Sequence, residues 1–213
     1  MRMPQSSALV LLSSLLCLPS ALCAQTVWTV EPATTTAVSG YAASRTTQIG
    51  FGAGHEAVAR IWWGERGDKP CELQIEGKAL EYAITTYTRK NFNLCDGGAT
   101  SAAWSTDGSG RIVEFGSAPD WRYVIMGISV CTNNSNNHRL KGIKIVAGGV
   151  PNSAPGLPKT IHHYGVWDRA DQTNCATWHR QVSCPTEQIA SGLVIHHTNE
   201  EITGIALRCR GLR

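Results

Sequence analysis

Past the first two dozen residues, apolar positions never keep the 3.6-residue spacing of an amphipathic helix over a sustained stretch. They alternate with polar ones in short runs broken by Gly, Asn, Asp and Pro, so the chain reads as all-β. Three of these runs share one figure. After Gly127 come Ile128 and Val130, then a polar loop, then Gly142 leading into Ile143 and Ile145. After Gly192 come Leu193 and Ile195, another polar loop, and Gly204 with Ile205 and Leu207. A weaker copy starts at Arg60 with Ile61 and Trp63 and returns through Glu72 with Leu73 and Ile75. Successive side chains of a strand face opposite sides, so these twelve apolar positions predict one buried face in each copy.

The anchors Arg60, Gly127 and Gly192 lie 67 and 65 residues apart, close to a third of the 189 residues that follow position 24. A unit of that size is too long for a solenoid turn and holds about four strands of 5 to 6 residues with their turns. The expectation is a single domain, 25–213, of three four-stranded sheets turning their apolar faces to a shared axis, from units near 25–95, 96–150 and 151–213. The polar loops 64–70, 132–139 and 196–201 would then meet at one end. Their contents differ while the strands around them agree, which suits a scaffold whose loops carry specificity.

Arg2, the apolar run 8–18 and the small residues of 19–24 have the order of a secretory signal peptide, expected to be cleaved after Ala24. That run is too short for a membrane anchor, and no later stretch approaches the roughly 18 apolar residues a spanning helix needs. The protein is therefore expected to be secreted or periplasmic. Cys71, Cys95, Cys131, Cys175, Cys184 and Cys209 remain, an even six that points to disulfides in an exported chain. None falls in a C-x-x-C pair, which makes a zinc site a poor reading. Cys184 and Cys209 bracket one β unit and are expected to pair. The net charge of +3 is too small for a nucleic-acid partner, and charged residues are only 16% of the chain.

The C-terminal unit runs from Gly165-Val166-Trp167 through Trp178, Cys184-Pro185 and Ala190-Ser191-Gly192 to Ile202-Thr203-Gly204-Ile205, Leu207 and Cys209. It resembles the repeat of the vitelline membrane outer layer protein I family, with its Trp and Gly, Cys-Pro step and closing Gly-Ile-x-Leu-x-Cys strand. That resemblance implies a β-prism, three Greek-key sheets about a pseudo-threefold axis, the fold shared by the jacalin-related lectins. Gly165-Val166-Trp167-Asp168 also resembles, one residue shorter, the Gly-x-x-x-Asp loop with which jacalin-like lectins hold sugars.

Seven tryptophans are many for so few charges. Trp beside a carboxylate or amide is a way to hold a sugar, the ring covering the C–H face and the polar partner binding hydroxyls. Trp167 and Asp168 are the leading candidates for such a site, with Asn136, His138, His196 and Asn199 supplying loop contacts; Trp63, in the apolar phase, is expected in the core. Arg66-Gly67-Asp68 reads as a turn rather than an adhesive tripeptide, and Asp107-Gly108-Ser109-Gly110 as a turn rather than a hydrolase elbow. Neighbouring residues such as His196 and His197 face opposite ways on a strand and cannot chelate one ion as a pair; a site from separate loops, His196 with His138, is the lesser reading beside plain surface histidines, and no metal or cofactor is expected. The first functional reading is a secreted, disulfide-bonded, lectin-like protein that binds a glycan or glycoconjugate. The others are a structural or interaction component of an extracellular layer, with a secreted or cell-surface protein as partner, and a glycan-active enzyme using a carboxylate pair. No catalytic signature supports the last.

Overall fold

The computed structural model describes residues 32–52, 56–80, 87–97, 113–114, 117–118, 121–151 and 161–211. Trp28, Trp104 and the expected turn at Asp107 to Gly110 lie outside them, as does the leader. In chain order the strands are β1 (Thr34–Thr35), β2 (Ser39–Gly40), β3 (Arg45–Gly50), β4 (Glu56–Arg66), β5 (Lys69–Ala79), β6 (Tyr87–Asn93), β7 (Val113–Glu114) and β8 (Ser117–Ala118). They continue as β9 (Trp121–Thr132), β10 (Leu140–Pro151), β11 (His162–Asp171), β12 (Thr177–Trp178), β13 (Val182–Ser183), β14 (Gln188–His197) and β15 (Ile202–Gly211). No helix occurs among the described residues.

Three sheets form, each around one long hairpin: β4–β5, β9–β10 and β14–β15. The first is ordered β6-β5-β4-β7. The second runs β11-β10-β9, with β8, β12 and β13 all along the far side of β9. In both, the strand after the hairpin turns back onto its second arm and later segments cover its first, the Greek-key path. The third sheet has the same layout, but its flanking strands come from the start of the chain: β1 and β2 lie beside β15, and β3 beside β14. The fold is an all-β, β-prism architecture, with the three sheets that the repeat implied and the prism that the resemblance implied.

The sheets do not divide the chain at residues 95 and 150. They draw on 56–114, on 117–183, and on 34–50 together with 188–211. A division into consecutive thirds assumes that each sheet is contiguous in sequence, whereas both outer rows of the third sheet are filled by the opposite end of the described chain. This pairing covers edges that would otherwise expose backbone donors and acceptors.

All twelve repeat positions are fully buried. They face one another in six cross-strand pairs: Ile61 with Ile75, Trp63 with Leu73, Ile128 with Ile145, Val130 with Ile143, Leu193 with Leu207 and Ile195 with Ile205. The three sets pack into one cluster, the prism core. A second cluster of Ala57, Leu80, Val124, Met126, Val150, Ile161 and Ile189 closes the end away from the hairpin tips. Each hairpin also carries bulges at matching places. One precedes the anchor residue, at Ala59, Met126 and Ser191; the other lies in the second arm near the tip, at Cys71, Lys141 and Thr203.

The six cysteines form three disulfides, Cys71–Cys95, Cys131–Cys175 and Cys184–Cys209, the last as expected. Cys184 follows β13 in the second sheet and Cys209 lies in β15 of the third, so this bridge ties two faces of the prism together. Cys184→Ser/Cys209→Ser opens a link across 25 residues and should cost about 3 kcal/mol. Ile128→Ala, at the core of the same framework, should cost roughly 2 to 5 kcal/mol. Chemical denaturation of both variants measures these losses, and a value under about 0.5 kcal/mol for Ile128→Ala would contradict its place in the core.

Candidate functional site

The three hairpin tips meet at one end of the prism and are joined to one another by charge. The first tip is a two-residue turn in which Gly67 and Asp68 both take positive φ, 55° and 63°. That is the geometry of the tight turns favoured by right-handed strand twist. Arg66-Gly67-Asp68 is thus a turn, and its aspartate points at the neighbouring hairpin. Lys141 Nζ donates to Asp68 Oδ1 (2.6 Å), to the Asp68 carbonyl (2.8 Å) and to Glu65 Oε1 (2.6 Å). Arg139 donates to Glu201 Oε2 at 2.6 Å and to Asp68 Oδ2 at 3.3 Å. Lys69 donates to Glu200, and Asn174 Nδ2 reaches Asp68 Oδ1 at 3.1 Å. All three loops, 64–70, 132–139 and 196–201, take part.

Lys141 is the bulge residue of β10 and is fully buried, an expensive place for an ammonium unless acidic partners surround it. Lys141 keeps the inward phase of Ile143 and Ile145, and the bulge lets Leu140 turn inward beside it, so the ammonium ends in the space between tips. Burial pushes the Glu65 carboxyl up to about 7, against the pull of Lys141. Asp68 behaves differently. Its slight burial works to raise its pKa, but the hydrogen bond and charge of Lys141, then Asn174 and Arg139, hold it below the ordinary carboxylate value. The same scaffold position carries three unlike groups: Glu65, Thr132 and His197, all buried. His197 Nε2 is 3.0 Å from Thr47 Oγ1, and its Nδ1 lies 2.6 Å from the Thr198 carbonyl.

Beside this network lies a cleft of about 530 Å³, lined by Arg66, Gly67, Lys69, Leu94, Asp96, Asn199, Glu200 and the Cys71–Cys95 disulfide. Its rim mixes guanidinium, ammonium, amide and carboxylate groups over one small apolar floor. Of the residues named from sequence, Asn199 lines this cleft, and Asn136 is exposed on the adjoining 132–139 loop. His138, on the same loop with φ of 50°, stacks on Tyr41 with ring centroids 3.5 Å apart. His179 meets Tyr41 edge-on at 4.8 Å and lies with Nε2 2.8 Å from Thr132 Oγ1. Desolvation by burial, and for His179 the charge of His138, lowers the pKa of His179; burial, then His197, lowers that of His196. His196 is half-buried on β14, and among the described residues no three His, Cys, Asp or Glu side chains gather where they could hold a metal ion.

Trp167 and Asp168 are not in a loop. Gly165 through Asp168 belong to β11, the edge strand of the second sheet, with Asp168 opposite Ile145 and Val166 opposite Val146. Trp167 is the extra residue of a bulge between those pairs. The alternation of this stretch is broken by that bulge, which is why it reads as a turn in sequence. The structure therefore brings Asn136, His138 and Asn199 together at the tip end and leaves Trp167 and Asp168 on the side of the prism. Lys141, Arg139, Glu65 and Glu201 were not singled out in sequence; the signal for them was the cluster of opposite charges on three loops already expected to converge.

The scaffold defined by these sheets is the jacalin-like β-prism. Calystegia sepium agglutinin superposes on this chain with a TM-score of 0.52 at 12% identity, over 85% of this chain and 98% of that one. The structure of wild-type Malaysian banana lectin is similar at 0.45 with 11% identity, over 83% and 97% of the two chains. A mannose-specific jacalin-related lectin from Morus nigra, solved with mannose, is similar at 0.41 with 7% identity, over 84% and 95%. The first of these supports the shared fold. No protein-family sequence model and no curated protein matches the chain.

Because Glu65 binds its proton more tightly when folded, its contribution to stability is fully present below pH 4.5 and is lost as pH rises through about 7. His179 and His196, with lowered values, act in the opposite sense near their ordinary value, so the test compares variants. The melting temperature of the protein minus that of Glu65→Gln should fall steadily from pH 5 to pH 8. A constant or rising difference would show that Glu65 is not a carboxyl held neutral by burial.

Proposed function

We propose that this protein is a secreted glycan-binding protein of the lectin type, and that its ligand sits at the hairpin-tip end. The observation that carries the reading is the cleft between the first and third tips. Three loops of different composition are locked there by Lys141, Arg139 and Lys69, and they hold polar side chains at a concave surface without needing the ligand to order them. Asn199 offers both donor and acceptor to sugar hydroxyls, and Arg66 and Asp96 extend that set across the cleft. Asn136 and His138 flank it on the neighbouring loop. The β-prism lectin similar in fold agrees with this reading, as do the three disulfides with an oxidising compartment.

The acidic groups at this end favour binding over hydrolysis. Asp68, Glu200 and Glu201 each accept from a cation, and Glu65, though its pKa is raised to about 7, is buried against Lys141 and does not line the cleft. Trp167 and Asp168 belong to the proposal as a secondary contact on the edge strand.

A glycan array followed by calorimetry on the best hit tests the reading. Affinity at one shallow site should be around millimolar, and Asn199→Ala should weaken it several-fold while Trp167→Ala changes it little. Loss of binding in Trp167→Ala alone would move the site to the edge strand. Absence of any glycan ligand, with co-purification in an extracellular layer, would favour the structural role.

A further inference from the structure

The outer face of the first sheet departs from the threefold pattern. Arg60 occupies the place held by Gly127 and Gly192 in the other hairpins. There, a side chain is excluded: a Cβ on Gly127 would stand 2.6 Å from Ser183 Oγ, and one on Gly192 would stand 2.5 Å from the Ile49 carbonyl. Two residues on, the other sheets place Ser129 and Val194, both buried; Ser129 Oγ donates to the His179 carbonyl at 2.7 Å. The first sheet has Trp62 there, half-buried and facing away from the fully buried Trp63. Across the strands Trp62 is opposite Gln74, Arg60 opposite Glu76, and Glu76 opposite Arg89.

These five side chains line a pocket of about 170 Å³, room for one sugar ring. Glu76 is buried, and both its oxygens are taken, by Arg60 Nη1 at 2.9 Å and Arg89 Nε at 2.5 Å. Arg89 is 66% exposed and carries five N–H donors, of which Glu76 takes one. With its carboxylate occupied, the pocket presents an indole, an amide and the remaining N–H donors of Arg89. In the second sheet the comparable indole, Trp178, is covered by its own cations, Lys144 at 3.9 Å and Arg169 at 5.0 Å. We propose that Trp62, Gln74 and Arg89 form a second binding site, for a sugar unit that carries a carboxylate, a uronate or a sialate. Trp62 stacks on the C–H face of the ring, Arg89 pairs with the carboxylate, and Gln74 binds a hydroxyl. This site lies on the sheet face, apart from the tip cleft, and does not rest on the reading of that cleft.

The experiment follows the indole N–H resonance of Trp62 by NMR, assigned by its loss in Trp62→Phe. Trigalacturonate and 3′-sialyllactose are the acidic probes, galactotriose and lactose their neutral counterparts. At least one acidic probe should shift the resonance and saturate it, more tightly than its neutral counterpart and less tightly at high salt; which acid binds better separates uronate from sialate. Arg89→Gln, at an exposed position, should weaken that binding several-fold, and Asn199→Ala should leave it unchanged. A Trp62 resonance unmoved by both acids, equal binding of the neutral counterparts, or no effect of Arg89→Gln would overturn the proposal. Loss of the shift in Asn199→Ala would overturn it too, by showing one site instead of two.

Discussion

Burial of six apolar cross-strand pairs around one axis is the constraint on which the rest of this structure depends. A lone hairpin of this length would leave its apolar face in water, and three of them packed together remove those faces at once. Because the side-chain period of a strand is two, fixing Ile61, Trp63 and their equivalents inward also fixes Trp62, Ser129 and Val194 outward. The same packing aligns the hairpins, so their three tips finish at one end. The proposed binding surfaces are consequences of the core in this sense.

Bringing three tips together creates its own problem, since polar loops in contact must satisfy one another's donors and acceptors. The bulges at Cys71, Lys141 and Thr203 show three different answers at one scaffold position. Cys71 forms a disulfide to Cys95, Lys141 enters an ion-pair network, and Thr203 Oγ1 donates to the Tyr41 and His196 carbonyls at 3.0 and 3.3 Å. Lys141 bridges Glu65 and Asp68 of the first tip from the second hairpin, and removing either partner would leave its buried ammonium poorly compensated. The raised pKa of Glu65 is the mark of that compromise: the carboxylate is drawn toward Lys141 and penalised by the same burial that places it there.

Much of this was legible in the sequence because the repeat is written in residues that have few alternatives. Anchors 67 and 65 residues apart, twelve apolar positions in phase and six cysteines lead to three sheets, one core and the Cys184–Cys209 bridge. What escaped was whatever depends on interruption of the alternation. The bulge at Trp167 makes a strand look like a turn, and the bulge at Lys141 lets Leu140 join the core next to a buried lysine. The contiguous thirds failed for another reason: β1, β2 and β3 carry no apolar run long enough to announce that they complete the last hairpin, and only pairing with β14 and β15 reveals it. The proposed site residues divide along the same line. Asn199 and Asn136 follow from loop convergence, whereas Trp62 and Gln74 become visible only when register places them opposite each other.

The threefold pattern also supplies a measure of what each face is for. Where packing alone governs, the three copies agree: every inward position at the axis is apolar, and every hairpin has its two bulges. Where they disagree, the difference lies in what flanks each hairpin, since the hairpins themselves match. Gly127 and Gly192 are required by the segments that press on them, whereas the first sheet sets Glu114 opposite Arg60 and carries a guanidinium, an indole and an amide on its outer face. A side chain as large as Trp62 placed outward gains little for the core that Trp63 already fills, and it is this indole that the proposed acidic-sugar site uses. The tip loops obey the same reasoning. Their ion pairs make one rigid rim out of three unlike sequences, and that rim is where a β-prism can change what it binds without changing how it folds.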